Sequence, residues 1–379
     1  LRGNIKCLIK NLILEDTTLR DGEQAPGVAF TPEQKVEIFY LLANMGVKWI
    51  EAGIPAMKGD EVKALSEMLE RKNEINIIAW NRGVLEDIEY SISLGFKAVH
   101  IGLPTSAIHL EKSVKKDKSW LVKTASDLVK FAKDKGMFVS ISAEDIGRTD
   151  IGFLQEYAQV VAEAGADRLR LSDTIGILSP AQYKEKVSLL NKNVNIDLQC
   201  HCHNDFGFAV ANTLAGIEAG ARYFHVCVNG IGERAGMPDL AQVAMALHFF
   251  HGVDLGLDLT KLIALSETVA RYSHQKISPW QPIVGDNVFA HESGIHANGM
   301  LKDSSTFEPF DPATVGGERR LVVGKHSGRA IIKHFLEESG VKAADDKALD
   351  RCLERVRSHA VRHPGGIPPH VLVDLYTAG

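Results

Sequence analysis

The sequence is poor in cysteine, has no long apolar run and carries little net charge, and each shortage closes a class of explanations. Five cysteines, at positions 7, 200, 202, 227 and 352, are too few and odd in number for a disulfide framework. They are expected to be reduced thiols of a cytoplasmic protein. No apolar stretch approaches the ~20 residues that span a bilayer. The first residues lack the long apolar segment and small-residue cleavage site of a secretory signal. A membrane partner is therefore not expected. A net charge of −5 with no basic run gives no electrostatic footprint for nucleic acid.

What is present is an alternation. From residue 12 to about 250, strand-like and helix-like segments take turns: 12–16 then 32–45, 49–53 then 61–71, 75–80 then 85–94, and 98–103 then 120–135. The pattern continues through 137–143 then 153–164, 168–172 then 180–190, 197–203 then 209–219, and 223–228 then 240–250. Several helices stop at glycine, where a C-terminal cap needs positive φ. Pro180 behind Ser179 reads as a helix start. Eight β/α units in about 240 residues predict a (β/α)8 TIM barrel, typically ~250 residues long. A doubly wound open sheet shares the alternation and is the alternative. Residues 1–256 are taken as the barrel. Residues 257–379 are taken as a linker and a smaller, mainly helical C-terminal subdomain, with an irregular Gly-, His- and Pro-rich stretch at 273–328.

Barrel enzymes set their reactive groups at the C-terminal ends of strands. Within Asp197–Asp205, side chains two apart share a strand face, so His201 and His203 point one way and Cys200 and Cys202 the other. Two imidazoles at a strand end are half of a divalent-metal site; taken alone, they are equally a buried, hydrogen-bonded pair. Asp21 follows the first strand and Asn229 the eighth. Strands one, seven and eight are neighbours in a closed barrel, which brings Asp21, His201, His203 and Asn229 to one side of the mouth. A set without thiolate suits Mg²⁺, Mn²⁺ or Zn²⁺. Arg20 is a candidate for polarising a carbonyl and stabilising an oxyanion. Glu144, ending the fifth strand, is a candidate general base, and Thr174 a hydrogen-bond donor to a carboxylate. Glu51 and Asp145 are further strand-end carboxylates. The glycines of Asn229–Gly236 do not match a dinucleotide loop, and Gly324–Gly328 is too short for a phosphate-binding P-loop.

Leu19-Arg20-Asp21-Gly22-x-Gln24, His201-x-His203-Asn-Asp-x-Gly, Asn229-Gly-x-Gly-Glu-Arg-x-Gly, His291-Glu-Ser-Gly-Ile-His296 and Gly324-Lys-His-Ser-Gly328 occur in that order. Together they resemble the acyl-CoA-dependent 2-oxo-acid condensing enzymes, the family of 2-isopropylmalate, homocitrate and citramalate synthases. Arg168-Leu-Arg-Leu-Ser-Asp-Thr174, and a catalytic region with no long regulatory domain after it, are most similar to the homocitrate synthases of nitrogen fixation. The resemblance implies condensation of acetyl-CoA with 2-oxoglutarate to give homocitrate and CoA. Asp21, His201 and His203 would bind the metal, with Asn229 in or near its shell. Arg20, Glu144 and His296 would be catalytic, and Gln24, Thr174, His100 and Ser142 would contact substrate. It also implies a homodimer with exchanged C-terminal subdomains. Ser140, Asn81 and Phe307 stand where lysine-pathway homocitrate synthases have arginine, histidine and tyrosine. The contact to the distal substrate group therefore stays open among His100, Thr105 and Ser142. The alternatives are a 2-isopropylmalate or citramalate synthase and a lyase of the same barrel superfamily.

Overall fold

A computed structural model describes residues 11–378; Cys7 lies outside the described residues. Eight parallel strands close a barrel: β1 (Ile13–Asp16), β2 (Trp49–Gly53), β3 (Asn76–Arg82), β4 (Ala98–Gly102), β5 (Phe138–Glu144), β6 (Arg168–Asp173), β7 (Asp197–Cys202) and β8 (Tyr223–Val226). β8 pairs β1, with Glu15 opposite His225. Each strand is followed by a helix of the outer layer. Two of these helices, Pro32–Met45 and Pro180–Asn193, begin with capping boxes, Thr31 with Gln34 and Ser179 with Gln182. Proline at the first helical position loses no hydrogen bond there, which fixes where these helices start.

The chain divides into two compact units. The first takes residues up to Asp258 and regains Ala264–Ile277; the second takes Leu259–Ile263 and Ser278 onward. The irregular stretch expected at 273–328 contains more order than its composition suggests. Helix Gly294–Lys302 and a two-stranded pairing of Ala290–His291 with Arg320–Leu321 lie within it. Near the C-terminus, helix Pro369–Thr377 buries Leu372 with Ile332, Leu336 and Val356. Pro368 and Pro369 occupy its start, where proline is tolerated. Among the described residues, no helix is long and apolar enough to cross a membrane.

The barrel interior is polar where such barrels ordinarily carry branched aliphatics. On β6, Leu169 and Leu171 are buried on one face, while Arg168 and Arg170 on the other join ion pairs inside the barrel. At the floor, the Arg168 guanidinium lies 4.8 Å from the Tyr223 ring and 5.5 Å from those of Trp49 and Phe138. Above it, Arg168 pairs with Glu15 at 2.5 Å and Arg170 with Glu51 at 2.5 Å. Such pairs are costly to desolvate and contribute little net stability. Their value lies in what they hold in place at the mouth.

Candidate active site

At the C-terminal end of the barrel a cavity of about 220 Å³ is lined by Arg20, Asp21, Gln24, Trp80, His100, Ser142, Glu144, Arg170, Ser172, Thr174, His201, His203, Glu233 and Arg234. It is on the scale of a small acid, below the ~300 Å³ at which drug-sized pockets begin. Nine residues expected from sequence meet here: Arg20, Asp21, Gln24, His100, Ser142, Glu144, Thr174, His201 and His203. Asn229 is not in this lining. It sits in a 3-10 turn at φ 59°, its Nδ2 donates to the Ser266 carbonyl at 2.9 Å, and its Oδ1 is buried without a hydrogen-bond partner. His296 belongs to the second unit, where its ring stacks on Phe307 with centroids 4.1 Å apart.

Asp21 Oδ2, His201 Nε2 and His203 Nε2 form a triangle of 3.5, 4.0 and 3.3 Å sides. A point equidistant from all three lies about 2.1 Å from each, a metal–ligand bond length for imidazole and carboxylate. The second oxygen of Asp21 is buried with no hydrogen-bond partner. Burial pushes both histidines below the usual imidazole range, so both rings are neutral. A neutral pair facing a carboxylate at these distances fits a divalent cation.

The orientation of His201 is set from below. Glu15 Oε1 lies 2.7 Å from His225 Nε2, and His225 Nδ1 lies 2.8 Å from His201 Nδ1. Arg168 and His225 hold the Glu15 carboxyl ionised against its burial, well below the usual range. A carboxylate only accepts, so His225 Nε2 carries the proton. Burial holds His225 down to about 4, so its ring is neutral and its Nδ1 bare. His201 Nδ1 must then donate, which leaves the His201 Nε2 lone pair facing Asp21 and His203. This is the arrangement by which a partner group fixes the tautomer of a ligating histidine. Glu15, Glu51 and His225 also cluster closely. Arg168 and Arg170 already neutralise their charge, so this cluster is an ion-pair layer.

Arg20 is gripped on two sides, by Glu51 at 2.5 Å through Nε and by Asp21 at 2.9 Å through Nη1; Nη1 also donates to Gln24 at 3.1 Å. Its Nη2 is uncommitted in these contacts. Burial raises the pKa of Glu144, against the pull of Arg20 and a 3.3 Å bond from Ser142. Gly102 keeps space beside it: a Cβ there would sit 2.7 Å from the Trp80 ring and 3.0 Å from Glu144 Oε1. Thr174 Oγ1 accepts from the Asp145 backbone at 2.8 Å, and its own hydrogen reaches only a distant carbonyl, that of Ser172 at 3.5 Å. Arg234 is anchored to Asp205 at 2.8 Å and to the Thr174 carbonyl at 2.6 Å. Cys200 faces the helix layer: a Cβ on Gly216 would lie 2.4 Å from its Sγ. Burial pushes the Cys200 thiol up to about 12. No role was expected for Glu15, Trp80, Arg170, Glu233, Arg234 or His225, although Arg170, Glu233 and Arg234 stand within the sequence motifs; the signal for the others was polar or aromatic side chains at period two within strands.

The HMGL-like family profile matches residues 11–269, and a homocitrate synthase post-HMGL domain-like profile matches residues 283–364. The chain belongs to the HMGL-like family. Among relatives in that family, 2-phosphonomethylmalate synthase of Streptomyces rubellomurinus is 59% identical over 97% of this chain and 98% of its own length. The 2-isopropylmalate synthase 2 of Caldanaerobacter subterraneus is 44% identical over 93% of this chain and 92% of its own. Homocitrate synthase 1 of Nostoc is 43% identical, covering 97% of both. Among solved structures, the HMG-CoA lyase of Bacillus subtilis superposes with TM-score 0.64 at 18% identity, over 71% of this chain and 95% of that one. Its likeness is one of fold.

Proposed function

We propose that this HMGL-like chain condenses acetyl-CoA with a small 2-oxo acid that bears a second anionic group, and releases CoA by hydrolysis. The observation that carries the reading is the lining of the cavity. Beside the Asp21/His201/His203 triangle it presents Arg20, Arg170, Arg234, His100, Ser142 and Thr174, and its one large apolar side chain is Trp80. A branched aliphatic 2-oxo acid would leave these polar groups unpaired, at a free-energy cost. A doubly anionic one would satisfy them.

Adding an acetyl methyl carbon to a ketone leaves a carboxymethyl arm on the new carbinol carbon. Removing that arm from 2-phosphonomethylmalate leaves 3-phosphonopyruvate; removing it from homocitrate leaves 2-oxoglutarate. The relative at 59% identity favours the phosphonate as substrate, and the one at 43% supports 2-oxoglutarate as the second reading. Both carry a distal anion.

Asp21, His201 and His203 would hold the cation, whose chemistry when bound is to polarise the ketone and to align it with its neighbouring carboxylate. Arg20, fixed by Glu51 and Asp21, stabilises the negative charge that develops on the ketone oxygen. Thr174 donates its hydroxyl to the 2-carboxylate. Glu144, with its raised pKa, takes a proton from the acetyl methyl, and His296 is proposed to assist within a homodimer of exchanged C-terminal subdomains. The test is thiol release from acetyl-CoA with 3-phosphonopyruvate, 2-oxoglutarate, 2-oxoisovalerate and pyruvate under Mg²⁺, Mn²⁺ and Zn²⁺. The highest kcat/KM is expected with one of the two anion-bearing acids; a clear preference for 2-oxoisovalerate would sink the proposal.

A further inference from the structure

His100 is fully buried on β4, yet it lines the cavity. Its Nδ1 lies 2.9 Å from Ser140 Oγ on β5, and its Nε2 has no hydrogen-bond partner. Ser140 Oγ accepts a hydrogen bond from Arg168 Nε at 2.9 Å. A guanidinium N–H can only donate, so it occupies a lone pair of the hydroxyl. The hydroxyl keeps one hydrogen, and among the described contacts its acceptor is His100 Nδ1; that hydrogen is satisfied when this nitrogen is bare. Burial, reinforced by Arg170, keeps His100 neutral. A neutral imidazole with a bare Nδ1 carries its one proton on Nε2.

We propose that Arg168 and Ser140 fix His100 as the Nε2–H tautomer, and that this N–H recognises the distal anionic group of the 2-oxo acid. The second half rests on the proposed function, which supplies the ligand. Arg168 is a positioning residue and touches no substrate: both its Nη atoms are held by Glu15, and its face lies against Tyr223, Trp49 and Phe138. The same ion pair thus has two outputs. Through His225 it delivers a lone pair at His201 Nε2, and through Ser140 it delivers a proton at His100 Nε2.

The chemistry suits discrimination. A buried N–H that a ligand must satisfy rejects ligands that cannot accept from it. Phosphonate and carboxylate oxygens accept; an isopropyl group cannot. Because His100 is neutral, the donor adds no charge to a cavity that already holds three arginines. The opposite tautomer would turn a lone pair toward the anion and repel it.

The proposal is tested in the full-length enzyme by nitrogen-15 NMR of labelled histidine, with the His100 signal assigned by its loss in His100→Gln. The wild type is expected to show a protonated Nε2 and a bare Nδ1, and Ser140→Ala a mixture of tautomers. In Ser140→Ala the KM for 3-phosphonopyruvate and 2-oxoglutarate is expected to rise about tenfold, the scale of one misdirected hydrogen bond. The kcat and the KM for pyruvate should stay within about threefold. Ser140→Thr, which keeps the hydroxyl, should recover both readouts. A proton on Nδ1 in the wild type overturns the relay. Unchanged KM values for the anion-bearing acids in a folded Ser140→Ala overturn the recognition role. Turnover of none of these acids by the wild type removes the proposed function and the recognition role with it, while the tautomer signal still decides the relay.

Discussion

His201 Nδ1 lies 2.8 Å from His225 Nδ1, and in the proposed metal site this contact would make a residue outside the ligand triangle a determinant of cation binding. Without the His225 acceptor, nothing holds the His201 proton on Nδ1. In His225→Phe, which keeps an aromatic ring of similar size, divalent-metal affinity is expected to fall 10- to 100-fold, the usual scale for such partners. Titration calorimetry of the metal-free protein with Mn²⁺ measures it directly. His203→Ala, which deletes a ligand, should abolish Mn²⁺ binding in the same assay. Equal affinities for wild type and His225→Phe would remove His225 from the metal's support.

Arg20 is held so firmly that its replacement should affect the reaction more than the site around it. Glu51 and Asp21 fix the guanidinium from two directions. Arg20→Ala is expected to lose about 10²–10³ in kcat, the scale seen when a fixed donor to a developing oxyanion is removed. Mn²⁺ binding should persist. The release of Glu51 from one of its two arginines is a separate matter, read as a lower unfolding midpoint in urea. A kcat within threefold of wild type would exclude the electrophilic role.

The barrel and the convergence of Asp21, His201 and His203 were legible in the sequence for one reason: both depend on strand order and strand ends. Alternating segments gave the eight units, and Asp21, His201 and His203 followed from the rule that such folds react at their C-terminal rim. The ionic layer beneath was not legible. In Arg168-Leu-Arg-Leu-Ser, period two reads as leucines inward and arginines toward water, the pattern of a half-buried strand. A closed barrel wrapped in helices inverts this: the leucines meet the helices and the arginines fill the interior. Glu15 and His225 were hidden by the same inversion, and Glu51, expected as a strand-end carboxylate, lies in this layer paired with Arg170. His296 followed from motif resemblance alone, and its stacking on Phe307 within the second unit depends on local packing that no period encodes.

Asp16 provides a pH-dependent test of the barrel's integrity. Its carboxyl is buried, accepts from Thr18 N at 2.9 Å and Thr18 Oγ1 at 3.0 Å, and is pushed up to about 7 by desolvation. The folded state therefore holds a proton that the unfolded chain releases near 4. The sign follows from linkage. Stability from this group is full below pH 4 and declines as pH rises toward 7, at most about 1.4 kcal/mol per unit. Asp16→Asn removes that slope. The difference in unfolding free energy between the variant and wild type should move in the variant's favour from pH 4 to pH 7, then level off. Urea unfolding at pH 4.5, 5.5, 6.5 and 7.5 checks this, since shared contributions cancel in the difference. A difference that is flat with pH would show that Asp16 is ionised in the folded protein.

In the proposed reaction, Glu144 links the buried wall to proton removal. Burial raises its pKa, while Arg20 and the Ser142 hydroxyl limit the rise. A base in this position works only when ionised, so kcat/KM should fall as pH drops through a value above the ordinary carboxylate range. Protonation of His201 or His203 would produce a similar limb by releasing the metal, and the two causes are separable. If Glu144 governs the limb, Mn²⁺ occupancy and binding of the 2-oxo acid stay constant across it while turnover is lost. Glu144→Gln should lower kcat by about 10²–10⁴ at pH 7.5, the range for a positioned general base. Its residual rate should no longer follow that limb. In the absence of 2-oxo acid, wild-type enzyme should exchange acetyl-CoA methyl hydrogens with deuterated water if proton removal precedes carbon–carbon bond formation, and Glu144→Gln should not. Retention of that exchange in the variant would assign the proton to another acceptor, and the cavity's remaining carboxylate outside the metal triangle is Glu233.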